Sequence, residues 1–464
     1  ARLIPQSGGG NSLGGRNGRY NKIQVDGATL DDVFGLGDAV PGSQAGAQPI
    51  SLDAIEEFNV DIAPYDVRSS GFTGGQINAI TKSGTNEFSG SLRTIYRDEQ
   101  FTGDLDGVGT GEFQEQYYVG TLGGPIIEDK LFFFVNGEFR RQESPLDTQV
   151  GDVAGPNTFQ VGSGTLGSIS ESRGTTIGST SDLLSQIQNI AQNQYGCSPG
   201  GISPLSQQQN NEKFLAKIDW NINNNHRLTA RHNYVNADDD SGLGRGRNSF
   251  DFANRQYVFN SVQNSSTLQL NSTIGDNMFN EARVVYTRIR DQRNVEDQLW
   301  PDTNIDLNGT QSVNMGIGRF NQANRLDQDI WEITNDFTFT QGDHTLTIGT
   351  NNEIFSFSNL FIQDAVGAYT FRGFEYENEA GETVAVDPLT AFERGQPSSY
   401  QLSYSLLDGV AQPEAEFTGM QFGLYVQDEW NATNDLTLTA GLRADMPILP
   451  DEPLDNPDAR DAFG

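Results

Sequence analysis

From residue 87 onward, apolar and polar residues alternate with a period of two, and gaps of two distinct lengths interrupt the alternation. A period of two sends successive side chains to opposite faces of a strand. Candidate strands fall at 87–97, 113–122, 130–140, 211–221, 226–236, 255–273, 276–290, 328–340, 343–359, 417–430 and 435–445. Most exceed the roughly 10 residues that a tilted strand needs to cross a bilayer. The links at 123–129, 222–225, 274–275, 341–342 and 432–434 are short, whereas those at 98–112, 141–210, 237–254, 291–327 and 360–416 are long and polar. Short turns at one end and long loops at the other mark an outer-membrane barrel. A soluble sandwich or propeller has no reason to keep that strict alternation.

Charge assigns the faces. Leu228, Ala230 and Tyr234 oppose Arg227, Thr229, Arg231 and Asn233, and Phe214, Ala216, Ile218 and Trp220 oppose Lys217 and Asp219. In the last candidate strand, Leu436, Leu438, Ala440 and Leu442 oppose Thr437, Thr439, Gly441 and Arg443. An Arg or Lys facing mid-bilayer lipid costs roughly 2–4 kcal/mol, so the charged faces look into a polar lumen. A half-exposed soluble sheet alternates in the same way, and strand length and gap alternation separate the two.

Residues 1–86 have another texture. Glycine clusters surround the strand-like Tyr20-Asn21-Lys22-Ile23-Gln24-Val25, and Asp26-Gly27 is a tight-turn signal. Residues 51–58 read as a Ser-capped helical turn that leads into a strand at 58–62. Gly71 to Asn86 carry glycines, an alternating Ile77–Lys82 strand and a second turn at 83–86. This predicts a small α+β unit joined to the long-strand region at residue 86. The first link after the join is a long one, so the first long strand runs from the short-turn side, and the small unit enters there.

Composition agrees. Only 35% of the 464 residues are hydrophobic, while 52 glycines and many Asn, Gln, Ser and Thr suit strands and loops. The net charge of -33 opposes nucleic-acid binding, which needs a basic footprint. No apolar run is long enough for a transmembrane helix. Cys197 reads as a lone loop thiol, and one Cys with three His makes a zinc site improbable. The opening Ala-Arg-Leu-Ile-Pro-Gln and the closing Asp-Ala-Phe-Gly read as the ends of an internal piece of a longer protein.

Three blocks carry a family resemblance: residues 14–27, residues 55–60 with 74–84, and Phe422 to Trp430 with Leu436 to Arg443. Together they resemble TonB-dependent outer-membrane receptors, and most closely the Oar-like subgroup. The resemblance implies an all-β, antiparallel, up-and-down transmembrane barrel, 22-stranded in the full-length family, with a small α+β plug inside its lumen. It implies that residues 1–86 are the C-terminal part of the plug and 87–464 the N-terminal portion of the barrel. It further implies a bacterial outer-membrane location amid lipid and lipopolysaccharide, a periplasmic TonB-type partner, and import of a scarce extracellular solute. The chain departs from the family at 61–66, where an Arg-Gly-Pro turn is usual and Asp-Ile-Ala-Pro-Tyr-Asp stands here. The alternative is a surface adhesion or export-linked protein that works through its long loops.

By the resemblance, the segment after Asp26-Gly27 rises toward the extracellular vestibule, which makes Leu30, Asp31, Asp32 and Phe34 the candidate substrate-facing residues. The competing reading is a polar turn with Phe34 packed inside the plug. Acidic clusters at Asp98, Glu99, Asp104 and Asp106, at Asp238–Asp240, and at Glu375, Glu377 and Glu379 offer oxygen ligands for Ca²⁺, but they lack EF-hand spacing and read by default as solvated loop charge. No phosphate cradle is present, and no Ser or Cys nucleophile has recognisable partners, so no enzymatic function, cofactor or metal is expected.

Overall fold

The structure, a computed structural model, describes residues 4–5, 11–13, 15–34, 40–62, 64–102, 113–146, 149–150, 158–203, 205–295, 299–452 and 460–461. Four strands of a small inner unit are β1 (Lys22–Val25), β2 (Ala28–Thr29), β3 (Ile55–Ile62) and β4 (Gly75–Thr81). Eleven long strands follow: β5 (Ser89–Asp98), β6 (Gln114–Ile127), β7 (Leu131–Pro145), β8 (Ser206–Asn223), β9 (His226–Ser241), β10 (Tyr257–Ile274), β11 (Met278–Asn294), β12 (Asn324–Gln341), β13 (His344–Phe361), β14 (Ala415–Thr433) and β15 (Leu436–Ile448).

The eleven long strands form one sheet in which every strand pairs antiparallel with its chain neighbours. The period-two alternation therefore builds a meander with two chemically distinct faces. One face carries a row of apolar residues in register, Ala230, Leu268, Val284 and Ile333, of which the last three are exposed. Trp220, Phe279 and Trp430 sit exposed on the wall near the short-turn ends, as an interfacial aromatic girdle requires. The opposite face buries Lys217, Arg231, Asn233, Gln263 and Glu332. His232 belongs to the apolar face, its Nδ1 2.9 Å from Ser266 Oγ.

The expected alternation of short and long links is present throughout. The strands run further than expected at their long-loop ends, where β8 starts at Ser206 and β9 continues to Ser241. There Gln209 pairs with Asp239 and Asn210 with Asp238. Polar residues on both faces leave no alternation to read once a strand rises out of the apolar layer. The 123–129 link is also shorter than expected. Gly123, Gly124 and Pro125 continue the ladder opposite Phe134, Phe133 and Phe132, because the missing side chain at Gly124 makes room for the Phe88 ring.

The inner unit is a four-stranded sheet of order β2-β1-β4-β3, with β1 and β4 parallel. Gly74 and Gly75 start β4 where a Cβ would strike Asn21 and Leu13, so these glycines serve close packing. The expected helical turn at 51–58 is a single 3-10 turn, Leu52–Ala54, and its Ser51 makes no side-chain cap. The strand begins at Ile55, three residues earlier than expected, because antiparallel pairing with Thr81 captures it.

The long links are more than polar loops. Helices α1 (Ser163–Arg173), α2 (Thr180–Tyr195) and α3 (Pro388–Glu393) pack against a five-stranded sheet built from Ser249–Asp251, Ser312–Met315, Asp302–Asp306, Ala368–Phe371 and Ser399–Gln401. Four separate links thus share one apolar core, which includes Leu183, Leu184, Ile187, Phe250, Phe252, Ile305, Met315 and Leu389. Cys197 lies inside this cap and not on an open loop, with Asn254 Nδ2 donating to its Sγ. Burial pushes the thiol up to about 11. Among the described residues no helix is long and apolar enough to cross a membrane, which says nothing of crossing by strands.

Candidate functional site: the seam between inner unit and wall

The polar face of the long-strand sheet makes the contacts that hold the inner unit. Asp26 and Gly27 both take positive φ, 49° and 77°, in the turn between β1 and β2. That turn aims the Asp26 carboxylate at two elements simultaneously. It accepts from the Thr81 amide at 2.8 Å and the Thr81 hydroxyl at 2.6 Å, closing β4 onto the turn. It also meets Arg231 Nη1 of β9 at 2.6 Å. The same nitrogen donates to the Val25 carbonyl at 2.8 Å, and Nη2 donates to Thr267 of β10 at 3.0 Å. Lys217 of β8 donates to the Thr81 carbonyl and hydroxyl at 3.2 and 3.0 Å, with its Nζ 3.9 Å from Asp26. Burial pulls the Asp26 carboxyl upward, but Arg231, Lys217 and the Thr81 bonds outweigh it and hold it below the ordinary value.

Other bonds continue the seam around the sheet. The Thr29 amide donates to Glu332 of β12 at 2.9 Å, and Asn233 donates to the Pro49 carbonyl at 2.8 Å. The Val67 amide donates to Gln427 of β14, while its carbonyl accepts from Arg443 of β15 at 3.0 Å. At the other edge, Arg93 of β5 pairs with Asp53, whose carboxylate also accepts from Tyr117 at 3.3 Å. Both edge strands therefore touch the inner unit, and the sheet curls around it. Among the described residues, apolar contact across the seam includes two small clusters and the ring of Phe34. Phe134 and Leu215 join Val25, Leu30 and Ala79, while Val235, Ala237 and Phe259 join Ala45 and Ala47.

The four residues singled out after the Asp26-Gly27 turn lie along this seam in different environments. Leu30 is 2% exposed and belongs to the first apolar cluster. Asp31 accepts from the Ile23 amide at 2.8 Å, and burial raises its carboxyl to about 7 against that bond and the nearby Lys22. It shares a cavity of about 20 Å³ with Thr29, Glu332, Glu353 and Phe355. Asp32 accepts from Gln328 of β12 at 3.3 Å. Phe34 packs its ring against Phe357 and Phe417, at centroid distances of 5.4 and 6.1 Å. Alternation along the strands turns Lys217 and Arg231 inward and names no partner for them. The signal was available, since a cation on a buried face needs an anion, and Asp26 is the acidic residue of the adjoining turn.

Among the described residues, no three His, Cys, Asp or Glu side chains assemble as a metal site. Asp104 and Asp106 lie outside the described residues. Asp238, Asp239 and Asp240 are engaged by Asn260, Gln209 and the Gln208 amide.

The profile of the outer membrane beta barrel domain family matches residues 80–456. The chain belongs to that family. It is a protein of the bacterial outer membrane. Over 138 residues it is 34% identical to the TonB-dependent transporter Oar of Myxococcus xanthus, a match covering 26% of this chain and 12% of the relative. Among solved structures it resembles the outer membrane transporter YddB from Escherichia coli (TM-score 0.55, 11% identity, 94% of this chain and 50% of that one). It also resembles a mutant of the ferric enterobactin receptor PfeA from Pseudomonas aeruginosa (TM-score 0.54, 14% identity, 94% and 51%). At these identities the likeness is one of fold, and the chain spans about half the length of these two structures.

Proposed function

We propose that this chain is the C-terminal part of a plug (1–86) and the N-terminal portion of a barrel (87–464) from a TonB-dependent transporter that imports a scarce extracellular solute. The observation that carries the reading is the character of the seam. The plug is held by ion pairs and a ring of hydrogen bonds, with two small apolar clusters and the Phe34 ring contacts behind them. Hydrogen bonds exchange with water at a net cost of roughly 0.5–1.5 kcal/mol each. A pull from a periplasmic TonB-type partner then separates surfaces that water can satisfy, with little apolar area exposed. Short turns face the periplasm and the folded cap faces outward, where it filters what reaches the plug apex at Asp32–Phe34, with Leu30 packed beneath it. Lipid and lipopolysaccharide surround the wall. The function is carriage, with no chemical conversion.

One observation favours a second reading, surface adhesion or export. The cap has its own core, as a binding head would. Cells expressing the full-length protein, with and without the energy-transducing partner, decide between them. Depletion of a solute from the medium that stops without the partner supports import. Partner-independent depletion together with lost surface attachment in a cap-deletion strain supports adhesion.

A further inference from the structure

Strand register lines up one row of inward side chains across six strands: Val235, Gln263, Ile289, Gln328, Phe357 and Phe417. One step toward the long-loop end, Ser261 pairs with Asp291. Gln263 is 1% exposed, yet neither its Oε1 nor its Nε2 has a partner among the described residues. Gln328 Oε1 is in the same condition, in a residue 0% exposed, while the hydroxyl of Ser261, 1% exposed, lies beside the Asp291 carboxylate. The plug apex rests on this row, where Asp32 accepts from Gln328 and Phe34 packs on Phe357 and Phe417. A buried amide that no protein group meets is destabilising unless water or a ligand satisfies it, and Leu in place of Gln263 would remove the penalty. Such groups persist where function needs them.

We propose that Gln263, Gln328 and Ser261, with Phe357 and Phe417, form an inner binding track uncovered when the plug apex withdraws, and that its ligand is a neutral, hydroxyl-rich solute with a flat C–H face, such as a short saccharide. The proposal rests on the transport reading. The amides and the hydroxyl offer acceptors and donors side by side, which suits sugar hydroxyls. The adjoining phenyl rings, 5.0 Å apart by centroid, suit the apolar face of a pyranose. The carboxylates of Asp291, Asp32 and Asp327 neighbour the track, so a polycation is the competing ligand that the test includes.

The test uses the full-length protein in cells that have no other outer-membrane route for the probes, maltotetraose and spermidine. Maltotetraose uptake is expected, falling at least tenfold in Gln263→Leu and Gln328→Leu, while the unfolding temperature of Gln263→Leu stays level or rises. Should either variant fold poorly, Gln263→Asn, which keeps an amide but shortens its reach, is expected to raise the KM with folding intact. Absent maltotetraose uptake, uptake of spermidine alone, or undiminished uptake in the Leu variants overturns the track. Partner-dependent depletion of some other solute in the same cells leaves the transport reading standing, so the two failures are distinguishable.

Discussion

At the scale of single residues, the Asp26 carboxylate joins three elements. It closes the β1–β2 turn, seals β4, and receives Arg231 from the wall. Asp26→Asn keeps the shape and removes the charge, leaving a guanidinium that is 2% exposed without its anion. Breaking a buried pair from one side costs roughly 3–5 kcal/mol, and the retained amide contacts bring the expected loss to about 2–4 kcal/mol. Hydrogen exchange at the Thr81 amide is the readout, and it should accelerate more than at amides in the middle of β10. Asp31 gives a pH dependence. Its folded value of about 7 lies above the ordinary carboxylate value, so the docked plug binds a proton that the undocked chain releases. Stability from this group is complete below about pH 4, declines as pH rises toward 7, and is flat above. Asp31→Asn should abolish that slope in plug unfolding measured between pH 4 and 8. The inward direction of Arg231 was legible from its alternation with Leu228 and Tyr234. Its partner was not, because Asp26 lies 205 residues away in the chain.

At the scale of elements, the wall was legible because each strand carries its own two-faced pattern. The strand ends were not, since Gln207–Gln209 and Asp238–Asp240 are polar on both faces. Leu268→Arg, on the lipid face, should cost roughly 2–4 kcal/mol and lower the fraction of heat-resistant folded barrel on semi-native gels. The cap escaped the sequence reading for a different reason. Its core is assembled from four links, each contributing a few apolar residues that look like scattered loop positions when taken alone. Helix α2 had a readable stripe in Leu183, Leu184, Ile187 and Ala191, all fully buried. Ile187→Ala should cost about 2–5 kcal/mol of cap stability. Cys197 reports the result, since its buried thiol should resist alkylation in the native protein and react in Ile187→Ala, with the heat resistance of the barrel unchanged.

At the scale of the whole molecule, a wall that is apolar outside and polar inside encloses a unit held mainly by reversible polar bonds. Transport on this plan requires the plug to move against the wall. Val67 and Gly441 meet where a Cβ on the glycine would touch the Val67 side chain, and Val67 already bonds Gln427 and Arg443 of the wall. Replacing both with Cys in the full-length protein should permit a disulfide that ties plug to barrel under oxidising conditions. The deciding measurement is solute depletion by cells carrying Val67→Cys with Gly441→Cys, before and after reduction. Depletion that is blocked when the pair is oxidised and restored by a membrane-permeant reductant is the predicted result. Undiminished depletion with the disulfide verified as intact would contradict a plug that must move.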